Sequence, residues 1–498
     1  MFSGYEIPND PSLPHLSTAL DEMEMANRFQ KLLFIAEPHS KNAARVRHWV
    51  KRCQIERVKY KAGQKCLVNY LLQIQDVQTR QICQQRLSTR LFPEGESRLR
   101  FQKAQSEPLV MPPFGQAVMH LPELEMVIWS FPNDRKIGSV NSLMTLPPNQ
   151  VALVKQAICD RLNAQIVNIE RPELVHYVPE HTCTVRLQMT LQPLRQAAGQ
   201  TRSITLFGKA YYNDEGAESW RLMQMLWESP VCQQGQLHIA QPIAYAPNER
   251  ILWQMGLTGR TLLSFALDSA EFTHLLINAA RSVAHLHATQ LPCKRTSQLV
   301  DWLETLSHMQ ILLANVRPDL NERVAILVEQ LVHRANELDG APSATLHGAP
   351  SATLHGDLHL QNLFVERAGQ LVPNDVTSGD PVPTERIALI DLDNLSTGSP
   401  WRDLGSLFAG LYYRALVDDV EATYVANLMD RFCAEYAQYT PWPLDRPAID
   451  WYTATALLGE RVYRSLTRIK RARPAMVDEL VARAEKLDIR QILTEAIQ

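Results

Sequence analysis

The spacing of apolar residues changes along the chain, and the changes divide it. Over residues 15–55 apolar positions recur three and four apart with basic residues between them, the helical period. Residues 57–74 alternate instead. Val58 and Tyr60 precede Gly63, and Cys66-Leu67-Val68-Asn69-Tyr70 follows it, which predicts a β-hairpin turning at Gly63. A second hairpin of the same form runs Val175-His176-Tyr177-Val178-Pro179, then Thr182-Cys183-Thr184-Val185-Arg186-Leu187. Each has a Tyr, a turn, then a Cys opening an apolar strand. The likeness continues in order: Phe101-Gln102-Lys103-Ala104 against Phe207-Gly208-Lys209-Ala210, and Glu125-Met126-Val127-Ile128-Trp129 against Arg250-Ile251-Leu252-Trp253. These parallels predict that the first 145 residues are a degenerate copy of the sheet-forming unit that follows.

Residues 214–228 read as a helix with Leu222, Met225 and Leu226 as its apolar stripe. From Gly259 the chain turns helical. Residues 275–291 are amphipathic and end in Ala284-His285-Leu286-His287-Ala288; residues 296–339 form a block broken at Arg317-Pro318; helices run from Asp403 onward. His285 and His287 lie two apart and face different ways on a helix, which makes them structural and not a metal pair. Ala341-Pro342-Ser343-Ala344-Thr345-Leu346-His347-Gly348 repeats identically as residues 349–356, and only the second copy runs on into an Asp. The segment between Val365 and Arg386 reads as an exposed loop.

Composition narrows the class. A net charge of −3 over 498 residues gives no pull toward nucleic acid or an anionic membrane. The eight cysteines form no C-x-x-C pair, so neither zinc nor a redox dithiol is suggested. No stretch is long and apolar enough to span a bilayer, and the first residues carry no basic region leading into an apolar run. A cytoplasmic protein is expected.

The chemistry gathers in two short motifs. Leu354-His355-Gly356-Asp357-Leu358-His359-Leu360-Gln361-Asn362 has H-x-D-L-x-x-x-N spacing, and Ala388-Leu389-Ile390-Asp391-Leu392-Asp393 ends an apolar strand in acids. Asp357 can accept or orient the proton of an attacking hydroxyl, while Asn362 and Asp391 can hold the Mg2+ that bridges nucleotide phosphates.

These residues resemble the aminoglycoside phosphotransferase and choline kinase-like group of small-molecule kinases, whose form is H-G-D-x-H-x-x-N followed by I-D-x-D. The resemblance implies an α+β, protein kinase-like two-lobed fold with an antiparallel-sheet N-lobe and a mostly helical C-lobe. It divides the chain into an additional α+β region at 1–150, an N-lobe at 151–256 and a C-lobe at 257–498. It implies Asp357 as catalytic base, Asn362 and Asp391 as metal ligands, and His355, His359 and Asp403 as braces of the loop. Lys209 would meet the α- and β-phosphates of ATP or GTP, with Glu218 as its partner and Glu215 or Glu228 as alternatives. Backbone groups of Gln254, Met255 and Gly256 would meet the base. Two features depart from the protein kinases. Gly356 stands where they carry an Arg, which removes the receptor for activation-loop phosphate. The turn before Lys209 is Pro179-Glu180-His181-Thr182, with no glycine-rich loop. Arg461, Arg464 and Arg468 give the C-terminal helices a basic character that disfavours a polycationic acceptor and suits a sugar or an anionic metabolite. The expected partner is a small-molecule hydroxyl acceptor, with no nucleic acid and no membrane. The rival expectation is a kinase-fold scaffold whose N-terminal region engages a protein partner.

Overall fold

The computed structural model describes residues 10–34, 47–61, 63–194, 201–340, 351–367, 385–467 and 474–495. The first copy of the 341–356 repeat, most of the loop expected after Val365, and Arg468 lie outside these residues. The chain falls into two compact units. The first consists chiefly of residues up to Asp214 together with Ala244–Trp253; the second consists chiefly of Glu215–Ile243 and Gln254–Leu466.

The first unit repeats one plan. Helices α1 (Leu16–Leu20) and α2 (Glu22–Phe34) precede strands β1 (His48–Lys61), β2 (Lys65–Asp76) and β3 (Ile82–Leu91). Then come α3 (Ser97–Gln105), β4 (Val118–Leu121) and β5 (Met126–Ser130). The strands form an antiparallel sheet in the order β1-β2-β3-β5-β4. The plan restarts with α4 (Val140–Thr145) and α5 (Pro148–Leu162), then β6 (Ala164–Ile169), β7 (Glu173–Val178), β8 (Thr182–Pro193) and β9 (Arg202–Tyr211). After α6 (Glu215–Glu228), α7 (Pro230–Gln233) and β10 (His238–Ile239) come β11 (Pro242–Ala246) and β12 (Ile251–Met255). This sheet runs β11-β12-β9-β8-β6, with β7 also paired to β8. Its order is that of the first sheet, with β6 and β7 sharing the place of β1.

The residue registers of the two sheets correspond. Cys66 pairs with Leu91, and Cys183 pairs with Ala210. Both cysteines are fully buried, and burial pushes each thiol up to about 12. Glu125 and Arg250 are both left-handed (φ 49° and 54°), and their carbonyls accept the Phe92 and Tyr211 amides at 2.9 and 3.1 Å. The hairpin turns also match, with Gly63 at φ 65° and Glu180 at φ 62°. In the first, Asp10 Oδ2 accepts the Tyr60 hydroxyl and the Gly63 amide, both at 2.8 Å. In the second, Asp134 Oδ2 accepts the Tyr177 hydroxyl at 2.6 Å and the Glu180 amide at 2.9 Å.

Three sequence expectations need correction. The helix expected over 15–55 ends within the described residues at Phe34, and His48–Lys61 is a strand. Its register slips between Val50 and Arg52 and between Ile55 and Arg57. A bulge adds an unpaired residue, so buried Val50 and Cys53 fall three apart and imitate a helical period. Phe101-Gln102-Lys103-Ala104 lies in helix α3, so Lys103 is not the counterpart of Lys209. The shared register gives that place to Arg90, one residue before Leu91 as Lys209 is one before Ala210. In α6, Leu222 and Leu226 are buried, but Met225 is 39% exposed and Met223 fills the apolar face.

In the second unit β13 (Gly259–Thr261) precedes α8 (Ala270–Ala288), α9 (Leu299–Val316) and α10 (Asn321–Gly340), the last two separated at Arg317-Pro318 as expected. Strands β14 (Ala352–Leu354), β15 (Leu363–Arg367), β16 (Glu385–Leu389) and β17 (Ser396–Gly398) carry the motifs. They form a β10-β16-β15-β13 sheet and a β14-β17 pair. Helices α11 (Trp401–Asp418), α12 (Ala422–Tyr436) and α13 (Arg446–Ala456) follow, then a π-helical turn Leu457–Val462, α14 (Tyr463–Thr467) and α15 (Val477–Glu495). Among the described residues no helix is long and apolar enough to cross a membrane.

Candidate active site

Two strand pairs bring the motifs together. β14 pairs with β17 through Leu354 and Ser396, which delivers His355-Gly356-Asp357 beyond the strand end. β15 pairs with β16 through Leu363 and Leu389, so the residues just outside that pair, Asn362 and Ile390, are neighbours. The Ile390 amide donates to the Asn362 carbonyl at 3.1 Å. Asp391 is the next residue after this backbone partner of Asn362.

His355 ties the two loops. It is fully buried, and its Nε2 lies 2.9 Å from the Ile390 carbonyl, which can only accept. The proton therefore sits on Nε2, leaving Nδ1 to accept the Asp357 amide at 3.4 Å. Gly356 has φ 79°, and a Cβ there would sit 2.1 Å from the Asn394 carbonyl oxygen. The backbone itself excludes the arginine that protein kinases place at this position.

Asp403 holds the loop from behind. Its Oδ2 accepts the His355 amide at 2.6 Å and its Oδ1 the Gly356 amide at 3.1 Å. Its place in the first turn of α11 sets a carboxylate against the positive end of the helix. His287 Nε2 lies 3.2 Å from Oδ2, and His287 Nδ1 lies 2.8 Å from the Tyr436 hydroxyl. Burial pushes the Asp403 pKa up, but the bond and charge of His287 outweigh it and hold it below the usual range. His287 has the structural part read from its spacing; Tyr436 completes the chain and left no signal in the sequence.

Asp357 is more open, with 39% of its side chain exposed. Partial burial pushes its pKa up, but His359, with Nε2 3.6 Å from Oδ2, and the charge of Arg464 draw it down to about 2. It is ionised at any physiological pH. Asn362 is buried, and its Nδ2 donates to the Asp357 carbonyl at 2.9 Å. That bond fixes the amide and leaves Oδ1 as the end suited to a cation. Asp391 is exposed and left-handed (φ 59°), a conformation Asp tolerates better than most residues and one that clusters at functional sites. Among the described residues no three His, Cys, Asp or Glu side chains form a metal cluster. One amide oxygen and one carboxylate suit Mg2+, which keeps waters and takes the rest of its shell from substrate phosphates.

In the first unit, Lys209 lies on β9 opposite Thr184, with Nζ 5.6 Å from the Tyr211 ring. Next to it, a Cβ on Gly208 would fall 2.6 Å from Trp253, so only glycine lets these side chains close. Glu218, expected to partner the lysine, receives Arg221 at 2.6 Å and Lys294 at 3.3 Å; chiefly through Arg221 its pKa falls to about 2. Glu215 receives Arg295 at 2.6 Å, and Arg295 also donates to Asn394 Oδ1 at 3.3 Å, a link between α6 and the loop after Asp391 that sequence reading missed. The Met255 amide donates to the Gln241 carbonyl at 2.8 Å, which occupies a donor that a nucleobase edge would use.

Near the loop, Ser406 Oγ donates to Glu460 Oε1 at 2.8 Å and Arg461 Nη2 to the Ser406 carbonyl at 3.0 Å. The Arg461 side chain is 12% exposed and lies in the π-helical turn, a distortion found often at functional sites.

A mostly helical unit with H-G-D-x-H-x-x-N ahead of I-D-x-D defines the class, a kinase-like phosphotransferase. More particularly, residues 215–442 match the model of the phosphotransferase enzyme family. Among solved structures, the chain is similar to an aminoglycoside phosphotransferase from Streptomyces rimosus (18% identity, 61% of this chain and 96% of that one, TM-score 0.35), which has also been solved with ADP and streptomycin. It is similar to a choline kinase from Streptococcus pneumoniae (12% identity, 69% and 99%, TM-score 0.38). It is likewise similar to an ethanolamine kinase from Plasmodium vivax (11% identity, 68% and 88%, TM-score 0.39). At such identities and scores the likeness says nothing about substrate. No curated protein matches the chain.

Proposed function

We propose that this protein transfers the γ-phosphate of ATP or GTP, with Mg2+, to a hydroxyl of a small molecule, either a sugar or an anionic metabolite. The observation that carries the reading is the joining of two motifs at one place. Asn362 accepts the amide of Ile390, the residue before Asp391, beyond the paired strands, and its side chain is bonded to the backbone of Asp357. Bound magnesium would supply charge neutralisation at the phosphates, and Asn362 and Asp391 would hold it. Asp357 orients the acceptor hydroxyl and takes its proton as the new O–P bond forms and the bond from the γ-phosphorus to the leaving nucleoside diphosphate breaks. Lys209 is assigned to the α- and β-phosphates, and the β7–β8 turn at Glu180 to the backbone they meet. The charges of Arg464 and Arg461 act on Asp357. They oppose a polycationic acceptor and favour an anionic one.

The test is the melting temperature of the protein with ATP or GTP, with and without Mg2+. A ligand that binds only the folded state raises it by mass action. We expect a magnesium-dependent rise that Asp391→Ala removes, and phosphoryl transfer that Asp357→Asn lowers by several orders of magnitude while nucleotide binding persists. Near-normal turnover in Asp357→Asn sinks the assignment. The engagement of Glu218 by Arg221 and Lys294 favours a second reading, a scaffold acting through protein partners; absence of any shift with either nucleotide selects it.

A further inference from the structure

The β7–β8 turn is held from outside its own hairpin. Arg135 closes on the Glu180 carboxylate through two parallel bonds, Nε to Oε1 at 2.6 Å and Nη2 to Oε2 at 2.7 Å. Arg90 Nη1 reaches both oxygens, at 3.1 and 3.2 Å. Asp134 takes the Tyr177 hydroxyl and the Glu180 amide. The Arg90 and Glu180 side chains are only 12% and 14% exposed, so solvent and salt screen the pair little. The forked Arg135 contact also fixes direction as well as charge. Glu180 does this from a left-handed backbone (φ 62°) at the place where the first copy has Gly63. Glycine is the natural occupant of that conformation. A residue that strains the turn stands there with its side chain fully engaged. Arg90 in turn occupies the position in the first sheet that Lys209 occupies in the second.

We propose that the first sheet is a brace for the second, with Arg90 and Arg135 as positioning residues that act through Glu180 to preset the 177–183 turn for nucleotide phosphates. This rests on the assignment of that turn to the phosphates made above. A glycine-rich loop is ordered by its ligand at an entropic cost, whereas a turn clamped during folding has lost that freedom beforehand, and preorganisation shows as affinity. The clamp should therefore govern the nucleotide KM and leave kcat alone.

The test uses the full chain as wild type, Arg90→Ala, Glu180→Gln, their double variant and Arg135→Lys. Hydrogen exchange of the 177–183 peptide is measured without ligand, and steady-state kinetics with Mg-ATP and Mg-GTP. We expect exchange to rise in both single variants and the nucleotide KM to rise about tenfold, with kcat within about twofold. The double variant should be no worse than Glu180→Gln, which already removes the charge pair that Arg90→Ala removes. Arg135→Lys, which keeps the charge and loses the fork, should fall between. A lowered melting temperature with unchanged nucleotide KM shows a structural contact only and overturns the proposal. So do additive effects in the double variant. If the wild type binds neither nucleotide, the phosphate assignment itself has failed and takes the proposal with it; faster exchange in the variants then still reports the clamp as a structural contact.

Discussion

The two sheets of the first unit share strand order, buried cysteine, Asp–Tyr turn anchor and left-handed residue before the last strand, and two of their differences concern charge. At the third strand the first has Arg90 and the second Lys209; at the hairpin tip the first has Gly63 and the second Glu180. A guanidinium is a rigid fork suited to a fixed carboxylate, whereas an ammonium on a flexible stem suits a phosphate that comes and goes. In the first copy the strand cation is committed to a protein carboxylate, Glu180. The difference teaches how two sheets of one strand order can commit the cation of the same strand differently. On the function proposed above, Lys209 in the second sheet meets nucleotide phosphates, whereas Arg90 in the first holds the Glu180 carboxylate.

The largest effect expected from this comparison is at the strand cation. Lys209→Ala should lower kcat/KM by about 10²–10³, the usual loss of one preorganised charge at a reacting phosphate, whereas Arg90→Ala should leave kcat in place. Steady-state kinetics on both variants decide it, and equal losses in kcat would erase the distinction. Next are the turn anchors. Asp10→Ala and Asp134→Ala each strand a tyrosine hydroxyl and a turn amide, at a cost of about 2–3 kcal/mol in denaturant titrations. Only Asp134→Ala should also raise the nucleotide KM. Smaller is Gly63→Ala, about 1 kcal/mol destabilising because Ala resists φ 65° although the space around it is open.

The last expectation concerns pH. Burial pushes the Glu180 pKa up, but the bonds and charges of Arg135 and Arg90 prevail and lower it. A carboxylate depressed in the folded state contributes stability above its unfolded value, about 4.3, and loses it as pH falls through the lower folded value. The stability difference between wild type and Glu180→Gln should thus be flat from pH 8 to 5 and close below about pH 4. A difference that widens on acidification would contradict the sign.

Other sequence readings met the structure unevenly. The Gly63 hairpin, its second form around Pro179 and the break at Arg317-Pro318 were legible because turn chemistry and period are local. The strand at His48–Lys61 was not, because its bulges moved buried residues to a helical spacing. Lys103 misled because four letters of likeness carry no register; strand pairing assigned the place to Arg90.

The sequence by itself determined the loop proposed to be catalytic. Asp357, His359 and Asn362 lie within one turn-forming stretch, and the chemistry of that stretch is written in spacing over a few residues. Tertiary structure decided what that loop rests on and what Glu180 is bonded to. Asp403 reaches His355 across 48 residues, and Arg90 reaches Glu180 across 90. Contacts at such separations follow from which faces of which strands and helices are buried against each other, and no period in the chain encodes them.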